Sequence, residues 1–308
     1  MSPNGAITQG ADESRTNWYN NQPGLDPSIV GGPNFKRLFS TALPSTGEPV
    51  LAQPLYIASP SGGNGTVLIV TEENNVYLLD AVTGAVKTTR ALGAGFSASA
   101  APISCGDIQP HIGITGTPVI DTSSNTAYFF SKSSAGVYTL HGVDTTTLAD
   151  KTGFPVTISG AAQNDATKTF NSTDAHQRPG LLLMGGVVYG AFASHCDHTP
   201  YVGWIIGVST AGVIKARFAT SVGAGSGDGI WMSGSGLTSD GAGNILFATG
   251  NPQGASPAWP ATGGIASNAP PGNLDESTAR AVVQADGSLK VTDFFAPFNA
   301  QNMGDNDL

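Results

Sequence analysis

The sequence predicts an all-β fold built from repeated antiparallel sheets. The chain of 308 residues contains 41 glycines and 20 prolines, while charged residues make up only 11%. Gly and Pro favour tight turns, and this balance is typical of many short strands joined by such turns. One pattern also recurs four times: a small or polar residue, Pro or Gly, an apolar strand, a turn and a second, aromatic-rich strand. We therefore expect several sheets and no long helix.

Each copy of the pattern is expected to form one blade of a β-propeller, because sequence repeats of this kind are typical of four-stranded sheets arrayed around a common axis. The copies begin at Ala52–Tyr56, Gly116–Ile120, Gln177–Leu181 and, more loosely, Ser233–Leu237. The blades are expected at roughly 50–110, 111–175, 176–228 and 229–298, in a single domain over 1–308 or in the N-terminal part of one.

Two apolar runs of strand length mark each copy. In the first copy, Val67–Val70 and Val76–Leu79 flank the turn Glu73–Asn75. In the fourth copy, Ile245–Ala248 follows Asp240–Asn244, which we interpret as a turn rather than as an acidic metal loop. The stretch 251–273, rich in Pro, Ala and Gly, is expected to be a long surface excursion.

Four blades would leave open sheet edges on both sides of an incomplete ring. Open edges promote aggregation unless something covers them. Residues 34–40 are a candidate closing strand, and a second chain or a second copy completing the ring is an expected partner.

The net charge and the cysteines limit which partners and which cellular location are expected. The net charge of -9 and only 13 basic residues argue against nucleic acid, and no apolar run is long enough for membrane insertion. Cys105 and Cys196 lie at similar points of neighbouring repeats, which predicts a disulfide. A disulfide favours an extracellular location, and such a location would imply a signal peptide that the sequence does not include.

Several motifs resemble those of a known family. Asp80–Gly84 and Asp144–Thr147 are similar to the blade signature of pyrroloquinoline quinone enzymes and their noncatalytic relatives, although Thr88 stands where a Trp is usual. Longer segments resemble secreted quinoprotein-like propellers of mostly unassigned activity. These segments are 112–121, 177–183, 194–197 followed by 203–204, and 229–234. The resemblance implies an all-β propeller of quinoprotein-like type with about four blades in this chain, and it implies little about function.

Residues at the head of each copy are expected to converge at one mouth of a central channel. Arg178 could hold a carboxylate or a quinone oxygen through paired hydrogen bonds, or Gln177 and Arg178 could tie inner strands together. Trp231 could stack a planar ligand or pack between blades. Asp228 lies in a Gly-rich loop that lacks the Lys of a phosphate cradle. The candidate ligand-binding residues are Gln53, Gln177, Arg178, Asp228 and Trp231, with Thr117 beside them.

Histidines supply the remaining candidates. His176, two residues after Asp174, could act as a general base, although such pairs in polar loops are commoner without that role. His195, Asp197 and His198 could bind a metal from one loop. If Cys196 forms the disulfide, that cluster loses its best ligand, and the loop is instead pinned by the bridge or contacts a substrate.

Three functions remain open. The first is a secreted noncatalytic propeller that binds a glycan, a surface polymer or a protein partner through its loops. The second is an oxidoreductase that acts on sugars or alcohols with pyrroloquinoline quinone (PQQ) and calcium. The third is a structural subunit of an extracellular assembly.

Overall fold

The computed structural model describes residues 6–19, 25–59, 62–100, 105–253 and 270–297, together with 300 and 303. In this part of the chain the one helix is α1, Pro27–Val30, which the Asp26 side chain caps by accepting from the backbone N–H of Ser28 and of Ile29. The other regular elements are β-strands. The predicted all-β class is therefore confirmed. None of the described residues belongs to a helix of the length and apolar character that a membrane crossing requires.

The first sheet is an antiparallel meander in sequence order. Its strands are β1 (Leu55–Ile57), β2 (Thr66–Val70), β3 (Asn75–Asp80) and β4 (Val86–Ala91). Side chains alternate across a strand, so one face of the sheet presents an apolar set that packs on the second sheet. A short ladder of β5 (Phe96–Ser97) and β6 (His111–Ile112) follows.

The second sheet repeats the meander with β7 (Val119–Asp121), β8 (Thr126–Lys132), β9 (Tyr138–Asp144) and β10 (Val156–Thr157). Every residue of β8 is buried. A strand that is covered on both faces shows a continuous apolar run instead of alternation. This burial explains why residues 127–130 read Ala-Tyr-Phe-Phe.

The third sheet has a divided inner strand. β11 (Ala175–His176) and β12 (Leu182–Met184) both pair with β13 (Val187–Ser194), which continues to β14 (Trp204–Ser209) and β15 (Ile214–Ala219). The residues between β11 and β12 leave the ladder. These residues are the Gln177-Arg178-Pro179-Gly180-Leu181 motif, and Pro179 cannot donate to a ladder.

The fourth sheet returns to the simple meander. It contains β16 (Thr238–Ser239), β17 (Asn244–Ala248), β18 (Thr278–Val283) and β19 (Leu289–Phe295). Residues 254–269 of the predicted excursion between β17 and β18 lie outside the described residues.

Successive sheets pack face to face. One buried cluster joins the first and second sheets through Leu68, Leu78 and Phe129. A second joins the second and third sheets, where Phe192 makes edge-to-face contacts with Phe130, and a third joins the third and fourth sheets. Each sheet therefore buries a face against the next one in the chain, as the blades of a propeller do.

Polar contacts recur at matching turns of the first two sheets. Asp80 accepts backbone hydrogen bonds from Val82 and Thr83 and pairs with Lys87, while Asp144 does the same with Thr146, Thr147 and Lys151. These bonds hold the pKa of both carboxyls well below its usual range. Thr88 and Arg90 then reach the next blade, where they donate to the Thr146 and Leu148 carbonyls.

An N-terminal strap, residues 6–17, crosses the inner edges of all four sheets. It accepts from the backbone N–H of Tyr56 in β1, of Ile120 in β7 and of Ser239 in β16, and Thr8 donates to Leu181 beside β12. No sequence pattern predicts this element, because its residues show neither strand nor helix periodicity.

Arg15 anchors the strap. Its guanidinium donates to the Leu237 carbonyl at 3.1 Å, the Leu181 carbonyl at 2.8 Å, the Gln9 carbonyl at 2.7 Å and the Thr8 hydroxyl at 2.6 Å. Burial lowers the pKa of Arg15 to about 10, which leaves the group charged at neutral pH. The strap therefore joins the third and fourth sheets through a buried charge.

The expected closing strand at 34–40 is not formed. Phe35 and Leu38 are exposed, and residues 35–40 have no strand partner among the described residues. Instead, side chains of this segment and of the residues after it contact the first sheet. The Phe39 ring packs on Gly84, whose φ of 72° suits glycine, and Glu48 accepts from the Tyr77 hydroxyl. The segment is thus held by side-chain contacts and not by a ladder.

Candidate functional site

One end of the sheets carries the long connections. In an antiparallel meander the second-to-third-strand loop and the link to the next sheet emerge at the same end. We call this end the loop face. Its described parts are the loops 71–74, 133–137, 195–203, 249–253 and 270–277, with the links 92–100, 105–118, 158–174 and 220–237.

Several of the residues expected at the channel mouth form hydrogen bonds with other groups of the chain. The Thr117 hydroxyl accepts from the backbone N–H of Gln53 at 2.9 Å and donates to the strap residue Gln9 at 2.6 Å. Gln177 is buried, donates from Nε2 to the Pro179 carbonyl at 2.5 Å, and lies where a Cβ on Gly116 would be. The Thr117 contacts join the starts of the first two sheets to the strap, whereas the Gln177 bond stays within its own segment.

Arg178 and Trp231 lie against each other. The Arg178 guanidinium carbon is 5.8 Å from the centre of the Trp231 ring, a cation–π distance. Both side chains are half-buried. Arg178 therefore covers one face of the ring on which a planar ligand would stack.

His176 is enclosed beneath the loop face. Its side chain is fully buried, and burial together with Lys132 and Arg178 holds its pKa well below its usual range, so the ring is neutral. Nε2 lies 3.4 Å from the Thr115 hydroxyl, which donates to Glu72 at 3.0 Å. A general base has to reach a substrate proton, and no surface of His176 is open to one in this arrangement.

Glu72 and Lys132 are buried ionisable groups that no sequence motif indicated. Burial raises the pKa of Glu72 to about 7, although hydrogen bonds from the Gly113 backbone N–H and the Thr115 hydroxyl act to lower it. Burial lowers the pKa of Lys132 to about 7, although its ammonium donates to the Thr173 and Ala175 carbonyls. A Glu inside a turn and a Lys at a strand end look exposed in sequence, so only the packing of the links over them reveals their burial.

The predicted disulfide is confirmed. Cys105 and Cys196 are bonded, with their Cα atoms 6.1 Å apart, and link the loop after β13 to the segment before β6. His195 is fully buried beside the bridge, and its Nδ1 is 3.4 Å from Asp107 Oδ1. Its ring packs edge-to-face on His176 at 5.4 Å.

The three residues expected to bind a metal do not converge. Asp197 accepts a hydrogen bond from the Tyr201 hydroxyl at 2.6 Å, and His198 pairs with Asp174 at 3.4 Å. Consecutive residues of a loop point in different directions, which is why three neighbours in sequence fail to form one site. In the described part of the chain, the cluster with metal-binding spacing consists of Cys105, Asp107, His195 and Cys196.

Asp228 belongs to a buried carboxyl pair. It is fully buried, Ser221 donates to it, and burial together with Asp275 raises its pKa, which favours the protonated form. Asp228 lies within the link between the third and fourth sheets, and its position in a Gly-rich loop of the sequence did not indicate that it is buried.

A cavity of about 210 Å³ opens on the loop face between the second and third sheets. Trp204 and Tyr201, both nearly buried, are its aromatic lining residues. The charge of Lys168 is partly satisfied, because the ammonium donates to the Gly225 carbonyl at 2.5 Å. The other polar residues of the lining are Thr167, Thr169, Asn171, Asp174 and Ser226. The volume is roughly fifteenfold that needed for one water molecule.

The described residues do not fit PQQ held by calcium. Calcium takes six to eight oxygen ligands, whereas the one metal-type cluster among these residues contains an imidazole and two disulfide sulfurs. Arg178 also occupies a face of Trp231. No step of a quinone reaction is therefore assigned to these residues.

Solved structures show the same architecture. A quinohemoprotein alcohol dehydrogenase from Comamonas testosteroni matches 97% of this chain with a TM-score of 0.58 at 16% identity, and a europium-containing methanol dehydrogenase matches 97% with a TM-score of 0.56 at 12% identity. The fold is that of a quinoprotein-like β-propeller. BamB from Moraxella catarrhalis matches 78% of the chain and 62% of its own length, with a TM-score of 0.35 at 14% identity.

This propeller chain spans 42% and 50% of the two dehydrogenase chains. No protein-family model and no curated protein sequence matches it. At these identities the likeness shows the fold alone.

Proposed function

We propose that this propeller is a noncatalytic extracellular binding protein that takes a neutral glycan in the cavity on its loop face. The cavity itself is the observation that carries the proposal. It is an open concave site with two aromatic lining residues and several hydroxyl and amide groups. Sugar rings pack on aromatic side chains while their hydroxyls bond to such polar groups.

The charges around the cavity support a neutral ligand. Lys168 already donates to a carbonyl, and Asp174 accepts from Asn171 and pairs with His198. These charged groups already have partners within the protein, and the Thr167 hydroxyl donates to Asp165 at 2.7 Å. The exposed Thr169 hydroxyl is therefore the group that a ligand can reach most directly.

Titration with neutral oligosaccharides tests the proposal. Oligomers of glucose, N-acetylglucosamine, xylose and galactose would be titrated by calorimetry into the wild type, into Thr169→Trp and into Thr146→Trp. Thr169 is exposed in the cavity lining, whereas Thr146 is exposed in a turn at the opposite end of the sheets. We expect at least one oligomer to bind, with affinity reduced about tenfold or more, that is by about 1.4 kcal/mol, only in Thr169→Trp.

Two outcomes contradict the glycan assignment. In one, no oligomer binds the folded wild type. In the other, Thr146→Trp weakens binding as much as Thr169→Trp does, so that the cavity is not the site.

The second candidate is a PQQ-dependent oxidoreductase acting on sugars or alcohols, and the similarity of the fold to that of a quinohemoprotein alcohol dehydrogenase supports it. Reconstitution with PQQ and Ca²⁺ would give bound-cofactor absorbance and dye reduction by a sugar or an alcohol. Absence of both signals in the folded protein contradicts this candidate.

A further inference from the structure

Four potential metal ligands meet under the disulfide. Donor atoms of Cys105, Asp107, His195 and Cys196 all lie within 4.8 Å of one another, and Cys105 Sγ is 3.2 Å from Asp107 Oδ1. A tetrahedral zinc ion with ligands at about 2.0 to 2.3 Å separates those ligands by about 3.3 to 3.8 Å. Small side-chain movements therefore suffice to bring the four donors to that geometry.

The buried side chain of His195 gives independent support for a metal site. The side chain is fully buried, and neither ring nitrogen has a hydrogen-bond partner among the described residues. A buried polar atom without a partner is costly. The ring is directed toward the cluster, since Nδ1 lies 3.4 Å from Asp107. An unpaired imidazole nitrogen beside two sulfurs and a carboxylate is the donor that a zinc site requires.

We propose that this cluster is a redox-gated zinc site, closed while the disulfide is intact and formed by Cys105, Cys196, His195 and Asp107 after reduction. The reductant is an external dithiol, which is itself oxidised to a disulfide as it delivers two electrons and two protons to the two sulfurs. Zinc then displaces the two thiol protons and binds both thiolates, with no further redox change.

The two exposed members give the reactants access. Cys196 is exposed whereas Cys105 is buried, so an incoming thiolate attacks the Cys196 sulfur and Cys105 is the leaving group. Asp107 is also exposed and opens the cluster to an ion from solvent. In either state the 195–203 loop stays tethered to the segment before β6, by a covalent bond or by the metal.

Cobalt titration tests the site. The full chain would be reduced with a phosphine, freed of metal and titrated with Co²⁺, with the unreduced protein as control. We expect one equivalent to give the visible bands of tetrahedral cobalt and a thiolate-to-cobalt charge-transfer band, which Zn²⁺ then abolishes. The unreduced protein should show neither band.

Variants distinguish this cluster from the neighbouring residues of the same loop. Asp107→Asn and His195→Gln should each weaken cobalt binding about tenfold or more, equivalent to about 1.4 kcal/mol. Asp197→Asn and His198→Gln are matched controls that should retain it, because those side chains contact Tyr201 and Asp174.

Three results overturn the proposal: no cobalt spectrum in reduced protein that circular dichroism shows to be folded, unchanged affinity in Asp107→Asn, or equal losses in the two control variants. If His195→Gln does not fold, Asp107→Asn decides the matter, because its side chain is exposed.

Discussion

Polar side chains at the inner edge of the sheets make contacts within the chain, whereas some of those on the loop face remain exposed to solvent. At the inner edge, Arg15, Thr117 and Gln177 are all committed to contacts within the chain. On the loop face, Thr167 and Thr169 line an open cavity and remain exposed. Polar residues near a propeller axis can therefore be structural, and ligand binding is better sought where side chains still reach solvent.

Removing the disulfide tests how far the loop face depends on its one covalent link. The bridge joins residues 91 positions apart, and in the chain-entropy model cross-linking a loop of this length stabilises the fold by about 4.6 kcal/mol. We expect the Cys105→Ser, Cys196→Ser double variant to lose about that much free energy of unfolding in urea. A loss below about 1 kcal/mol would show that noncovalent packing already holds the loop.

Replacing Arg15 tests whether the inner edge is structural. Arg15→Ala leaves the Leu181 and Leu237 carbonyls without their buried donor, so we expect a loss of about 3 kcal/mol. Arg37→Ala is the control, because Arg37 is exposed and should change stability by less than about 0.5 kcal/mol. Equal effects of the two variants in urea unfolding would remove the structural role assigned to the strap.

Glu72, buried in a loop of the loop face, gives the free energy of unfolding a pH dependence. Because the pKa of Glu72 is raised from 4.5 to about 7 in the folded state, its stabilising contribution is fully present below about pH 4.5 and is lost as the pH rises through about 7. From about pH 5.5 to about pH 8 this loss amounts to about 2 kcal/mol.

The variant Glu72→Gln should therefore show a smaller decrease in unfolding free energy over that range than the wild type. Asp293→Asn, at an exposed carboxylate, should leave the decrease as it is. An identical pH profile for wild type and Glu72→Gln would contradict the burial of an ionisable Glu72.

The smallest expected effect on stability belongs to the loop face. Thr169→Trp changes an exposed side chain and should alter the free energy of unfolding by less than about 0.5 kcal/mol, even though it blocks the cavity. Thermal unfolding beside the wild type checks this. A large loss would mean that the cavity wall also holds the second and third sheets together.

The sequence predicts the strands, but it does not predict which residues meet in the cluster beside the disulfide. Runs such as Val67–Val70 and turns such as Glu73–Asn75 carry their signal in adjacent residues, because strand alternation and turn chemistry are local. The structure forms no strand at 34–40, because three apolar side chains among polar and basic ones do not reveal whether a partner edge lies beside the segment. The three residues predicted to bind a metal do not converge, and the cluster that forms instead includes Asp107 and His195, which are distant in sequence.

The all-β class, the four repeated sheets and the disulfide could be read from residue order alone, since periodicity, turn residues and the placement of two cysteines are local or repeated features. Folding in three dimensions was needed to show that a strap crosses the inner edges, that Glu72 and Lys132 are buried, and that His195 joins Cys105 and Asp107. Burial and contact between distant residues depend on how whole sheets pack, and no short stretch of sequence records that packing.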